Sequence, residues 1–231
     1  MATATKAVRE ELKGKAVPIQ KPTIRCLFVT IEGTTPLLQN PKTADYIKSI
    51  IDSGQGNAQP GKVIKNPEKD FKDRIRKAGD VYLHPVEAFT GQKGVFPSAA
   101  KVARLKKISS KAVLMGIKIQ RDCLEEFADG IRPYVRIQSE KGPVMDMHVA
   151  EIKSGMRSVP VPIYRPRFEK GWRIDLRINY WPDLVSQSNL MSLLAHAGEL
   201  GIGSWRPENG GTFGMFKVIK AMEVESFPPE V

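Results

Sequence analysis

Residues 172–180 (WRIDLRINY) alternate strictly between apolar and polar side chains, and this pattern is the strongest structural signal in the sequence. Successive side chains of a β-strand point to opposite faces of its sheet, so the alternation is typical of a strand with one buried face. Residues 24–31 (IRCLFVTI) are instead almost continuously apolar, which is typical of a central strand buried on both faces. Both segments are therefore predicted to be β-strands.

Helical patterns fall between the predicted strands. A short helix is predicted over residues 43–51, and Asn66 is a candidate N-cap for a second helix that runs to residue 77. Residues 190–200 place apolar side chains at helical spacing, after Asp183 or Ser186 as the N-cap.

Two hairpins are predicted in the second half of the chain. The first pairs residues 135–138 with 144–149, and the second pairs residues 159–168 with 172–180 around a Glu-Lys-Gly turn. A strand over residues 215–224 follows the last helix. This order of elements predicts an α+β fold, with a ferredoxin-like or RRM-like βαββαβ sheet and inserted hairpin and loop segments.

The length of 231 residues fits one large domain that carries inserted segments. Residues 1–22 are polar and basic and are predicted to form an N-terminal arm, followed by a single domain over residues 23–231. Within that domain we expect a mobile loop over residues 53–66 and the inserted hairpins over residues 130–180.

The two cysteines, Cys26 and Cys123, lie far apart and outside any CxxC context. This argues against a disulfide framework and a structural zinc site, and it favours a reducing compartment. No stretch approaches the roughly 18 apolar residues of a membrane span. We therefore expect a soluble, cytoplasmic protein without a membrane partner.

Charge indicates the class of partner. Lys and Arg number 36 against 25 Asp and Glu, a formal net charge of +11, and such a surplus favours nucleic acid. The surplus is uneven, because residues 101–121 carry seven basic side chains and no acidic one, and residues 153–177 carry seven against two. A generally solubilising surface is the alternative. Within the second cluster, Arg165 and Arg167 are candidate nucleic-acid contacts.

The first cluster begins on a helix predicted over residues 99–108. Lys101, Arg104, Lys107 and Lys111 recur at spacings of three and four and share one face. Apolar side chains recur at every third position on another face of this helix: Val102, Leu105 and Ile108. None of the four cations has an acidic residue four positions away, so we expect contact with phosphates rather than a merely solvated face.

Residues 201–214 form a loop with five glycines in fourteen residues. Glycine lets the backbone approach a ligand closely, so N–H groups at Gly210 and Gly211, with Arg206, are candidates to hold a phosphate. Trp205 is a candidate for base stacking, as is Phe96 earlier in the chain. The alternative is a structural connection in which Trp205 plugs the core. No Gly-Lys-Ser/Thr follows, which excludes a Walker A motif.

Nothing in the sequence assembles a catalytic or metal site. The histidines His84, His148 and His196 are not spaced as metal ligands or paired with a nucleophile, and each is predicted to be structural. Asp45 could be a metal ligand or general base of a nuclease, but it is a single carboxylate at the start of a predicted helix. We therefore predict no catalytic residue, metal or cofactor.

Three segments resemble the RAMP superfamily, which includes backbone subunits and processing endonucleases of CRISPR systems. Residues 24–38 (IRCLFVTIEGTTPLL) resemble its first strand, and residues 94–105 (GVFPSAAKVARL) resemble its characteristic helix start. Residues 201–218 (GIGSWRPENGGTFGMFKV) resemble its glycine-rich loop and are also similar to the ends of phage-encoded proteins. The segment after the first strand has no histidine, where processing endonucleases commonly carry one.

The resemblance implies an RRM-like palm with an inserted thumb- or finger-like hairpin, binding of single-stranded RNA, and oligomers that extend along the strand. We therefore predict a non-catalytic protein that binds single-stranded RNA or DNA in a homo-oligomer or multi-subunit assembly, in a bacterial or phage-infected cytoplasm. A RAMP-type endoribonuclease is the alternative. A structural or inhibitory module that binds an acidic protein is the third possibility.

Overall fold

The computed structural model of the chain describes residues 23–54, 66–102, 109–154 and 157–224. The predicted basic arm over residues 1–22 lies outside these ranges, as does most of the predicted loop over residues 53–66. No helix in the described ranges is long and apolar enough to cross a membrane.

The described residues form eleven strands, six α-helices and one 3₁₀ turn. The strands are β1 (Arg25–Gly33), β2 (Leu37–Leu38), β3 (Lys77–Ala78), β4 (Val81–Pro85), β5 (Ile117–Ile119), β6 (Cys123–Phe127), β7 (Gly130–Ile137), β8 (Val144–Ser154), β9 (Arg157–Phe168), β10 (Arg173–Tyr180) and β11 (Phe216–Val224). The helices are α1 (Ala44–Gly54), α2 (Pro67–Arg74), α3 (Glu87–Thr90), α4 (Val95–Val102), α5 (Ser110–Gly116) and α6 (Gln187–Leu200), and the 3₁₀ turn covers Pro207–Asn209.

The central sheet has the strand order β11-β1-β10-β5, and each neighbouring pair is antiparallel. Helices α4 and α5 lie between β1 and β5 in the chain, and α6 lies between β10 and β11, where it packs against α4. This is the order of a βαββαβ ferredoxin-like sheet, so the predicted α+β fold is confirmed.

The alternation in β10 builds the core of this sheet. Ile174, Leu176 and Ile178 are fully buried, and Trp172 just before the strand is buried with them. The Trp172 indole donates a hydrogen bond to the carbonyl of Thr35 at 2.8 Å. A Cβ at Gly33 would lie 2.1 Å from the Trp172 Nε1, so only glycine lets the end of β1 pass over this ring.

Two further antiparallel sheets have the strand orders β3-β4-β7-β6 and β2-β9-β8. They show that the strand pairing predicted for both hairpins is wrong. Strand β7 pairs with β4 and β6, and the whole of β8 pairs with residues 157–167 of β9. Alternation along a strand predicts which face is buried but not which strand lies beside it. Both edges of β10 are occupied by β1 and β5, so the turn at residues 169–171 carries the chain from one sheet to another.

The single basic helix predicted over residues 99–108 is not observed as predicted. Helix α4 ends at Val102, and α5 begins at Ser110 with Ser109 as its N-cap, so Lys101 and Lys111 lie on separate helices. Helix α4 starts early enough to bury Phe96 and Ala99, which leaves Val102 exposed at 64% and contradicts its predicted burial. Residues 103–108, including Arg104 and Lys107, lie outside the described ranges.

The predicted caps of two other helices are confirmed. Asn66 accepts a hydrogen bond from the backbone N–H of Lys69, and α2 ends at Arg74, before the predicted residue 77. Ser186 caps α6 through the N–H of Asn189. The buried face of α6 contains the predicted apolar residues: Leu190, Leu193, Leu194 and Ala197.

Candidate nucleic-acid interface

A groove of about 840 Å³ lies beside the glycine-rich loop. We call it the basic groove. It is lined by residues 39–42, 84, 85, 87, 88, 91–93, 203, 204, 206, 208 and 209, by Ser98 and Lys101 of α4, and by Arg76, Asp129, Arg132 and Tyr134. Its size is within the range of pockets that hold small ligands. The fold therefore brings segments from both halves of the chain to one concave surface.

The basic groove carries more positive than negative side chains. Each acidic residue in its lining is paired with an arginine: Asp129 with Arg76, Glu87 with Arg132, and Glu208 with Arg206. Lys42, Lys93 and Lys101 are exposed in the same lining, and none pairs with a carboxylate of the described residues. Three ammonium groups thus remain available at one groove, which favours an anionic ligand.

Lys101 was predicted from the sequence, but Lys42 and Lys93 were not. Both lie in loops, Lys42 between β2 and α1 and Lys93 between α3 and α4. Single lysines in loops show no period and no motif. Only the fold, which brings these loops beside α4, identifies them.

The glycine-rich loop is fastened to the protein by its own backbone. The N–H of Ser204 donates to the carbonyl of Leu38 at 2.8 Å, and the N–H of Gly214 donates to that of Pro36 at 2.8 Å. The N–H groups of Gly210 and Gly211 donate within the loop, at 3.0 and 3.1 Å. These two donors are therefore already used, which corrects the predicted phosphate cradle.

The two adjacent glycines have different roles. Gly210 has a φ of 77°, and a Cβ there would meet nothing within 4 Å. A Cβ at Gly211 would lie 1.8 Å from the carbonyl oxygen of Trp205. Gly211 is therefore required by packing, and Gly210 by backbone conformation.

The Trp205 side chain is not buried in the core, but it is held by contacts with neighbouring side chains. It is 45% exposed, and its φ of 53° is the only positive value at a non-glycine residue in the described ranges. The Arg165 guanidinium lies 5.4 Å from its ring centroid, and the His148 ring packs against it at 4.2 Å. An exposed indole held this way can stack on a base.

Of the four arginines predicted as nucleic-acid contacts, the three that the structure describes have partners inside the protein. Arg165 is 4% exposed and pairs with Asp146 at 2.8 Å, while Arg167 pairs with Glu169 at 2.9 Å. Arg206 is 8% exposed, donates to the carbonyl of Lys93 at 3.0 Å and pairs with Glu208. In this arrangement Arg165 and Arg206 support the loop around Trp205 rather than present free charge.

Two other predicted contacts have clear positions. Lys111 is exposed on α5, outside the lining of the basic groove. Phe96 is fully buried against Phe89, with the ring centroids 5.8 Å apart. The predicted stacking of a base on Phe96 is therefore wrong.

The histidines and Asp45 have different surroundings. His84 is 2% exposed in the floor of the basic groove, and burial lowers its pKa to about 3. His148 packs on Trp205, and His196 is exposed on α6. Asp45 contacts Lys69 at 2.6 Å. Within the residues that the structure covers, no three His, Cys, Asp or Glu side chains form a group that could hold a metal ion.

No protein-family model matches the chain, and no curated protein matches it. Among solved structures, the fold is similar to a chain in the cryo-EM structure of the Type III-B Cmr-β bound to cognate target RNA. The TM-score is 0.52 at 12% sequence identity, and the match covers 96% of this chain. This chain spans 65% of the length of that one. At this identity the similarity concerns the fold alone.

Proposed function

We propose that this protein binds single-stranded RNA, without cleaving it, along the basic groove. The observation that carries the proposal is the convergence of Lys42, Lys93 and Lys101 on one concave surface whose other charges are paired. Exposed ammonium groups neutralise phosphates, and this electrostatic contact supplies most sequence-independent affinity for nucleic acid.

Trp205 extends the proposed binding path. Its neighbours in the chain, Ser204 and Arg206, line the basic groove, so a strand that leaves the groove across this loop would meet the exposed indole. Stacking on an aromatic ring suits a single strand, because its bases are free to turn outward. A duplex would not offer its bases in this way.

The similarity to a chain from a structure bound to target RNA supports RNA over DNA. We propose further that the protein acts in the cytoplasm, within a multi-subunit or homo-oligomeric assembly. The non-catalytic role is proposed because, among the described residues, no three His, Cys, Asp or Glu side chains form a group that could hold a metal ion. An endoribonuclease of the same superfamily is the alternative, and a cleavage assay separates the two.

The binding experiment compares two triple variants by fluorescence anisotropy with labelled single-stranded RNA. The test variant carries Lys42→Gln, Lys93→Gln and Lys101→Gln, and we expect it to lose about tenfold or more in affinity. The control removes the same charge from exposed lysines outside the groove: Lys77→Gln, Lys141→Gln and Lys170→Gln. Equal losses in both variants would contradict a binding site at the groove.

The same labelled RNA tests catalysis. The wild-type protein is incubated with RNA in the presence of magnesium or of EDTA, and the products are separated by length. Intact RNA that remains bound under both conditions supports the proposal. Discrete fragments that disappear in an Asp45→Ala variant would favour the endoribonuclease instead.

A further inference from the structure

The central sheet has one face packed against the helices and another face turned away from them. Three alternate residues of β1 are buried in one cluster with residues of α4 and α6: Leu27, Val29 and Ile31. Successive side chains of a strand point to opposite faces, so Phe28, Thr30 and Glu32 project from the side of the sheet away from those helices. All three are partly exposed.

The strand register sets a residue of β10 and a residue of β11 beside each of these three. Arg177 lies opposite Phe28 on one side, and Met222 lies opposite it on the other. The remaining residues form two further rows: Asp175, Thr30 and Lys220, then Arg173, Glu32 and Lys217. We call the residues of these three rows the outer patch. None of them lines the basic groove, so the outer patch is a separate surface.

Positive charge exceeds negative charge on the outer patch, which has four basic and two acidic side chains. The four basic side chains are exposed. Glu32 contacts both Arg173, at 2.6 Å, and Lys217, at 3.1 Å, so one carboxylate balances two cations. Asp175 accepts a hydrogen bond from the neutral hydroxyl of Thr30 at 2.6 Å. A surplus of positive charge on one face favours an anionic ligand.

Apolar side chains lie among these charges. Phe28 is on the central strand β1, and Met222 beside it is 45% exposed. The Lys220 ammonium lies 5.7 Å from the centroid of the Phe28 ring, and within the described ranges it pairs with no carboxylate. An exposed aromatic ring next to an unpaired cation can take a stacked base and its phosphate together.

Charge and shape distinguish between the possible occupants of the outer patch. A second copy packed face to face would set cations against cations, which is unfavourable. A duplex keeps its bases stacked inside and would leave Phe28 and Met222 uncovered. A single strand offers unstacked bases and phosphates side by side, which matches both the apolar and the basic side chains.

We propose that the outer patch is a second binding surface for single-stranded RNA, on which a base stacks on Phe28 while Lys220 contacts a neighbouring phosphate. The proposal goes beyond binding in the basic groove and does not depend on it, because the two surfaces share no residue. One protein thus has two places at which it holds RNA.

The first test is Phe28→Leu, which removes the ring but keeps an apolar side chain. Stacking contributes strongly to single-strand binding, so we expect affinity for a uridine oligonucleotide, measured by fluorescence anisotropy, to fall about fivefold or more. The control is Phe71→Leu on α2, a partly exposed phenylalanine outside both surfaces, which should change affinity by less than about twofold. A folded Phe28→Leu variant with wild-type affinity would overturn the proposal.

The second test keeps the wild-type protein and follows its methionine methyl groups by NMR. The Met222 signal should shift when the same oligonucleotide saturates the protein, because Met222 lies beside Phe28. Met115, 52% exposed on α5 and outside both surfaces, should not shift. An unchanged Met222 signal with RNA bound would overturn the proposal. A Met222 signal that moves with protein concentration before RNA is added would show a second copy on this face, and would also overturn it.

The two RNA surfaces fail separately. If Phe28→Leu weakens binding while the variant at Lys42, Lys93 and Lys101 binds as the wild type does, the groove is refuted and the outer patch stands. If only the groove variant weakens binding and Met222 does not respond, the outer patch is refuted and the proposed function stands. Wild-type protein that binds no single-stranded RNA would refute both.

Discussion

Replacing Trp205 with alanine separates its contribution to binding from its contribution to folding. The side chain is 45% exposed, so about 100 Å² of the area that a tryptophan usually buries is covered, mainly by Arg165 and His148. At about 25 cal/mol per Å², and with the unfolded chain already partly compact, its loss should cost about 2 kcal/mol of stability. If the indole stacks on a base, it should also cost about 1–3 kcal/mol of RNA binding.

The matched control is Trp172→Ala, which removes the same side chain from the core. Trp172 is fully buried and donates to Thr35, so its loss should cost about 3–5 kcal/mol of stability. Chemical denaturation gives both stabilities, and fluorescence anisotropy with single-stranded RNA gives the affinity of each folded variant. Trp205→Ala with unchanged affinity would refute the stacking role. A loss of stability as large as that of Trp172→Ala would show that Trp205 is part of the core.

Four other changes have definite expected outcomes. Gly211→Ala should destabilise the protein by about 3 kcal/mol in denaturation, and Gly210→Ala by only about 1–2 kcal/mol, because only the first meets a backbone oxygen. Arg206→Ala should cost about 1–3 kcal/mol of stability and leave the salt dependence of RNA binding unchanged, because its charge is paired inside the protein. As pH falls from about 6.5 towards 3, wild-type stability should fall by up to about 1.4 kcal/mol per pH unit more than that of His84→Phe, because the unfolded chain takes up a proton that the buried His84 refuses. If copies assemble along RNA, light scattering should show larger particles on long strands than on short ones, and equal one-to-one particles would contradict assembly.

The sequence predicted the central sheet because its strands have distinctive patterns. The alternation over residues 172–180 and the apolar run over residues 24–31 become β10 and β1, which lie side by side with Val29 opposite Leu176. The pairing of β9 was not predictable in the same way. Hydrogen bonds between strands involve the backbone, which is alike in every residue except proline, so a strand's sequence says little about its neighbour.

The candidate site was harder to predict, because charge in a sequence does not show which charges are paired. Arg165 and Arg206 look like free cations in the sequence, but the fold places Asp146 and Glu208 against them. Lys42 and Lys93 look unremarkable, and the fold leaves both exposed beside Lys101.

The salt dependence of RNA binding tests the basic groove most directly. Each phosphate contact on a single strand contributes about 0.7 to the slope of log affinity against log salt concentration. Removing Lys42, Lys93 and Lys101 together should therefore flatten the slope by about two units between about 50 and 200 mM salt, whereas the control variant at Lys77, Lys141 and Lys170 should keep the wild-type slope. A groove variant whose slope equals that of the wild type would contradict the claim that RNA phosphates bind there.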